Sequence, residues 1–298
     1  MSYKKLFSSI AISMLLLSCG SESQNTSEET QDPISAAASQ DTSEVLRSAE
    51  KIFYSMPSPL ELTSLIRKAD GRYRKDLLHD PAKVNVYQSA QTRALALGLY
   101  GADLSYATVY EQQGDAVKFL AASKRLGETI GIQEAFSAEI IERANASLDN
   151  RDSMMAIMTE MYWQTNSQLK EESRDQLALL VVTGGWVEGL YIGCGVFEDS
   201  DAKEDVQKRM AEQKFAASQL DAMFQLMQED YMMPEAGKMF RPLFDFFNSL
   251  EMSQEEPTVI DNGGSVTIGG ATEIKMSVAQ LEKLTKIVSD LRAKIVEP

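Results

Sequence analysis

Two carboxylates stand in apolar surroundings, and they are the residues of this chain best suited to chemistry. Asp103 lies in LALGLYGADLSYATVY (95–110), and Glu188 lies in LALLVVTGGWVEGLYIGCGVF (177–197). On a helix, Tyr100, Asp103, Tyr106 and Tyr110 fall three or four apart and share a face. Trp186 and Tyr191 flank Glu188. If the two helices meet, Tyr100, Asp103, Tyr106, Trp186, Glu188 and Tyr191 form a Tyr/Trp/carboxylate pocket, the candidate ligand site. A buried carboxyl there would have a raised pKa, a common mark of a functional group. The structural alternative is a network in which the Tyr hydroxyls satisfy the carboxylates. Nothing in the spacing places the two acids together, so no catalytic residue is assigned.

The remaining chemistry is sparse. The chain has two Cys and one His, too few for a His/Cys zinc site, and no metal or cofactor is expected. Cys194 reads as a small buried hydrophobe. His79, in LLHDP, precedes an Asp-Pro turn signal and is expected in a surface loop. No nucleophile motif accompanies it. Met154, Met158 and Met161 share a helix face and read as core. A formal charge of −15 disfavours nucleic-acid partners, because that affinity rests on Lys and Arg neutralising phosphates.

The first residues carry the address. Lys4 and Lys5 begin a basic segment, Leu6–Leu17 is apolar and too short to span a bilayer, and the run ends Leu16-Leu17-Ser18-Cys19-Gly20. This resembles the lipobox of bacterial lipoproteins. The resemblance implies that residues 1–18 are a signal peptide and that Cys19 is lipidated (palmitate among its acyl chains), giving an exported protein held at the membrane. Gly20 after the Cys, by the same resemblance, favours the outer membrane. Residues 20–43 are Ser/Thr/Gln/Glu-rich without Lys, Arg or aromatics. Such a segment cannot bury enough apolar surface to fold and reads as a tether reaching roughly 25–30 Å.

From residue 44 to 298 the pattern predicts a single all-α domain, a multi-helix bundle of about nine to ten helices with one small β-hairpin insertion. Helices are expected near 42–56, 59–69, 82–113, 115–130, 133–148, 152–171, 174–197, 202–230, 234–254 and 277–296. Capping-box spacing marks Asp41/Glu44, Ser58/Glu61, Ser173/Gln176, Asp201/Glu204 and Ser277/Gln280. Gly185, Gly189 and Gly193 repeat every four residues in 177–197, so that run reads as a central buried helix with close packing on one face. Residues 257–275 are β-prone with an Asn262-Gly263 turn, the hairpin. Leu281, Leu284, Val288, Leu291 and Ile295 form one apolar stripe that should dock on the bundle. Residues 94–131 match one partial tetratricopeptide-like helix pair.

LGLYGADLSYATVY and GGWVEGLYIG also make the body similar to uncharacterised helical lipoproteins of Bacteroidetes-type bacteria, a resemblance that carries no activity. The expectation is a lipid-anchored cell-envelope protein that binds an envelope partner without catalysis. The alternative is small-molecule or glycan binding in the Tyr/Trp/carboxylate pocket.

Overall fold

Two runs of the chain are apolar on every side, and the fold is organised by their meeting. In a computed structural model, residues 63, 64, 66, 67, 72–197, 200, 203–254, 258–261, 266–269 and 272–298 are described. The signal segment, Cys19, the tether, the first expected helix and the Asn262-Gly263 turn lie outside the described residues, as does most of the second helix. Val45–Pro298 forms one compact unit.

The body is all-α with a small antiparallel hairpin near its C-terminus. The helices are α1 (Ala90–Val109), α2 (Gln113–Ile130), α3 (Ala138–Ala146), α4 (Arg151–Glu171), α5 (Asp175–Phe197), α6 (Lys203–Glu212), α7 (Lys214–Leu226), α8 (Met233–Asn248) and α9 (Val278–Val296). Strand β2 (Thr258–Asp261) pairs with β3 (Val266–Gly269), with Thr258 opposite Gly269. The ladder resumes between β1 (Met252–Gln254) and β4 (Thr272–Ile274), with Met252 opposite Ile274. Ile274 and Met276 are buried at the base of this arm, and the Gln207 side chain of α6 donates to the Met276 carbonyl.

Helices α1 and α5 are the central pair. A Cβ built on Gly98 would lie 1.9 Å from the Val181 carbonyl oxygen, and one on Gly184 would lie 2.1 Å from that of Leu95. The backbones therefore meet where neither helix has a side chain. The close face runs through Gly184 and Gly185, whose N would lie 2.6 Å from a Gly98 Cβ. Gly193, on the expected face, packs against the Met210 side chain instead. Although α5 is long and apolar enough to cross a membrane, 94% of its most apolar window is buried inside the protein.

Around this pair, the α8 rings Phe240, Phe244 and Phe247 pack with Phe224 of α7 and Trp186 of α5. Helix α9 docks by its stripe: Leu281, Leu284, Val288, Leu291 and Ile295 are all buried. Its start carries the expected box, Ser277 accepting from the Gln280 N–H and Gln280 accepting from the Ser277 N–H.

Several expected helices are shorter or broken, for local reasons. The 82–113 run does not continue through Val86–Ser89. Asp80 caps a 3₁₀ turn at Pro81–Asn85, and Ser89 begins α1 afresh in a reciprocal box with Thr92. The 202–230 run breaks at Gln213, whose amide oxygen accepts from the Trp186 indole at 3.1 Å. The helix expected to reach 254 ends at Asn248 and gives way to β1. Ser173 does not cap α5. It sits at φ 56° past the end of α4, its N–H on the Lys170 carbonyl, the left-handed geometry that closes helix C-termini.

Candidate functional site

Tyr100, Asp103 and Tyr106 do share a face of α1, and the irregular segment 72–88 lies across it. A segment without regular structure must find partners for its buried backbone groups, and these three side chains supply them. Tyr106 donates its hydroxyl to the Arg72 carbonyl and accepts the Arg74 N–H, both at 3.0 Å. Asp103 Oδ2 accepts the His79 N–H at 3.2 Å. Tyr100 donates to the Asp80 carbonyl at 2.9 Å. Burial pushes the Tyr100 and Tyr106 phenols well above their ordinary value, so both stay protonated and able to donate.

Glu188 reaches the same place from α5, and Arg292 reaches it from α9. The guanidinium grips the carboxylate in a fork, Nε to Oε2 at 2.6 Å and Nη2 to Oε1 at 2.7 Å. Nη2 also donates to the Leu77 carbonyl at 3.0 Å, and the guanidinium carbon lies 4.1 Å from the centre of the Tyr191 ring, a favourable seat for a cation. Asp103 and Glu188 are both 0% exposed. The Glu188 charge is near enough to oppose ionisation of Asp103.

Two acids beside one guanidinium cannot both be charged cheaply in a buried site. Burial, reinforced by the Glu188 charge, holds Asp103 well above the carboxylate range. Burial also raises Glu188, against the opposing pull of Arg292. Asp103 Oδ1 has no hydrogen-bond partner among the described residues, which adds to the cost of ionising this buried group. A proton held on Asp103 would leave the Glu188 carboxylate and the Arg292 guanidinium as a matched pair.

His79 is buried at 5% exposure, not in a surface loop, because the Asp-Pro turn after it is tucked onto α1. Its Nε2 lies 2.9 Å from the Tyr87 hydroxyl. Burial, with the Arg292 and Lys83 charges, pulls it down to about 4, so the ring is neutral at physiological pH. Burial pushes Tyr87 up to about 12. Trp186 does not join this group. It faces the α8 rings and Gln213. Cys194 is buried, and its thiol is pushed up to about 12.

The docked segment also forms one wall of an open cleft of about 810 Å³, and α2 forms the other. Leu78, Val84, Phe119 and Ala122 give it an apolar floor, with Lys75, Lys118 and Arg125 at the rim. On α2, Asp115, Lys118, Ala122 and Arg125 follow 3-4-3 spacing and so share a face. Asp115 is already occupied: the Tyr73 hydroxyl is at 3.0 Å, Lys75 at 2.7 Å and Lys118 at 3.4 Å. Burial alone would raise Asp115, but these donors hold it below the ordinary carboxylate range. His79 and Asp80 line the cleft, whereas Asp103 and Glu188 do not.

Sequence reasoning missed Arg292, Tyr87, Leu77 and the cleft. Arg292 carried a usable signal, since it stands four residues after Val288 and three before Ile295, on the edge of the apolar stripe. Among the described residues, no group of three or more His, Cys, Asp or Glu is placed to hold a metal ion. No protein-family model, no curated protein and no solved structure matches this chain.

Proposed function

We propose that this chain is a lipid-anchored protein of the cell envelope that works by binding and not by catalysis. Cys19 is its attachment, at the outer membrane, and the cleft between segment 72–88 and α2 is its binding face. One observation carries the binding half of this reading. Asp103 and Glu188 are engaged in joining elements, Asp103 accepting the His79 N–H and Glu188 gripped by Arg292, which also holds the Leu77 carbonyl, and neither lines the cleft beside them. A concave surface with an apolar floor and a few polar groups is the usual form of a binding site.

The anchor half rests on the Leu16–Gly20 motif. Cells grown with labelled palmitate should label the chain, and Cys19→Ala should abolish the label. A Cys19→Ala chain that still labels contradicts the assignment. For the binding half, a photo-crosslinking amino acid at Ala121 should give a discrete adduct in intact cells. The same probe at exposed Glu282 of α9 should not. Turnover of a substrate by the purified protein, lost in a folded Glu188→Gln variant, would overturn the non-catalytic reading.

A further inference from the structure

We infer that the cleft takes an extended acidic peptide from a partner protein, with an apolar side chain set between carboxylates. This rests on the binding reading above and names the ligand for that same cleft.

Charge is the first argument. The chain carries −15 overall, yet Lys75, Lys118 and Arg125 converge on one apolar cleft. Two acids also stand at its wall, so its lining carries three cations against two carboxylates. Asp115 takes two lysines and a tyrosine hydroxyl, and Asp80 Oδ1 accepts the Ala82 N–H at 2.9 Å. Two lysines around one carboxylate leave a surplus positive charge at that end. At the other end, Arg125 is exposed and forms no ion pair among the described residues. An acidic ligand would be repelled by most of this surface and attracted here, a source of specificity as well as affinity.

Shape is the second argument, and it separates a peptide from a simple amphiphile. Asp115 and Arg125 are ten residues apart on one helix, roughly 15 Å along its axis. The apolar floor of Phe119 and Ala122 lies between the two cationic ends. A fatty acid or aromatic acid has one anionic head and can satisfy one end. An extended peptide of about four to five residues spans roughly 15 Å and can place a carboxylate at each end with an apolar side chain on the floor.

Preorganisation is the third. The wall carrying Leu78, His79 and Asp80 is fixed from behind by Asp103, Tyr100 and Arg292 through the His79 N–H, the Asp80 carbonyl and the Leu77 carbonyl. A wall already ordered loses little freedom on binding.

Random nonapeptides should be selected on the purified protein, and the consensus labelled with fluorescein for anisotropy titration. The expected consensus is acidic, apolar, acidic, and its binding should weaken with salt. Arg125→Glu should weaken it by roughly threefold to tenfold, in line with an exposed charge contact, and Lys118→Glu should weaken it similarly. Lys238→Glu on α8, outside the cleft, should leave it unchanged. Unchanged melting of each variant shows that the fold is intact. A basic or uncharged consensus, or affinity indifferent to Arg125→Glu, would overturn the inference. Decanoate is the second probe. If it binds with dependence on Arg125 while no peptide is selected, the ligand class is wrong and the cleft remains the binding face. If neither probe binds and Ala121 crosslinks to nothing in cells, the binding reading itself fails.

Discussion

The same residue types are used in two opposite ways within a few residues of each other. At the α1/α5/α9 junction, Asp103 and Glu188 are sealed from solvent, and the partly buried Arg292 grips both Glu188 oxygens. At the cleft, Lys75, Lys118 and Arg125 stand on an open rim around the largely buried Asp115, and Arg125 faces solvent. A buried ion pair is costly to form and more costly to break, because removing one partner strands the other in a low-dielectric interior. An exposed pair is screened and contributes little. The first arrangement therefore holds elements together, and the second is available to a partner. Segment 72–88 links the two, since its inner side is bonded to the sealed cluster and its outer side is the cleft wall.

The sharpest way to break this contrast is to remove one buried partner. Arg292→Met leaves Glu188 and Asp103 without a cation, and Glu188→Gln removes the carboxylate that Arg292 grips. Each should lower unfolding free energy by about 3–5 kcal/mol, read by urea denaturation. A loss below about 1 kcal/mol would mean the cluster is not sealed. A second large effect belongs to the same junction. Gly98→Ala places a methyl 1.9 Å from a backbone carbonyl of the partner helix, with no flexible side chain to yield. Overpacking of this kind should cost about 1–3 kcal/mol or more. Gly101→Ala, with nothing within 4 Å of its added Cβ, should be neutral or stabilising, by up to about 1 kcal/mol of helix propensity.

The pH dependence has a defined sign. Asp103 is raised above its ordinary 3.8, so the native state keeps a proton that the unfolded chain has released. That contribution is fully present below about pH 4 and is lost as pH rises through the raised native value. The slope within the window is about 1.4 kcal/mol per pH unit. Asp103→Asn keeps a neutral group in place and should flatten that fall, so the variant gains on the native chain as pH rises. Melting temperatures from pH 5 to 9 check it, and parallel curves would contradict it. The smallest effect is expected at the rim, where Lys118→Ala should change stability by less than about 1 kcal/mol.

How much of this was legible depended on whether the signal was local. The 3-4-3-4 stripe of α9 and its Ser277/Gln280 start are patterns within one helix, and both are found as read. The apolar runs around Asp103 and Glu188 announced buried carboxylates correctly. Their partner was harder to read, because Arg292 is 104 residues from Glu188 and its only local signal is its place on the edge of the α9 stripe. His79 was misplaced because Asp80-Pro81 does make a turn, while the burial of that turn comes from the Tyr100 and Asp103 side chains on another element. The helix break at Gln213 had no Gly or Pro to mark it. The Trp186 indole that bonds the Gln213 side chain there is 27 residues away. The cleft needed Lys75 and Arg125 brought together across a fold, and no spacing within either segment encodes that.

The central claim is that the Glu188–Arg292 pair holds the fold together and stays out of the chemistry of binding. A double-mutant cycle of Glu188→Gln and Arg292→Met by urea denaturation tests it most directly. The two losses should be strongly non-additive, with a coupling of about 2–3 kcal/mol, and the double variant should be more stable than their sum implies. Additive losses, or single variants that unfold like the native chain, would contradict it.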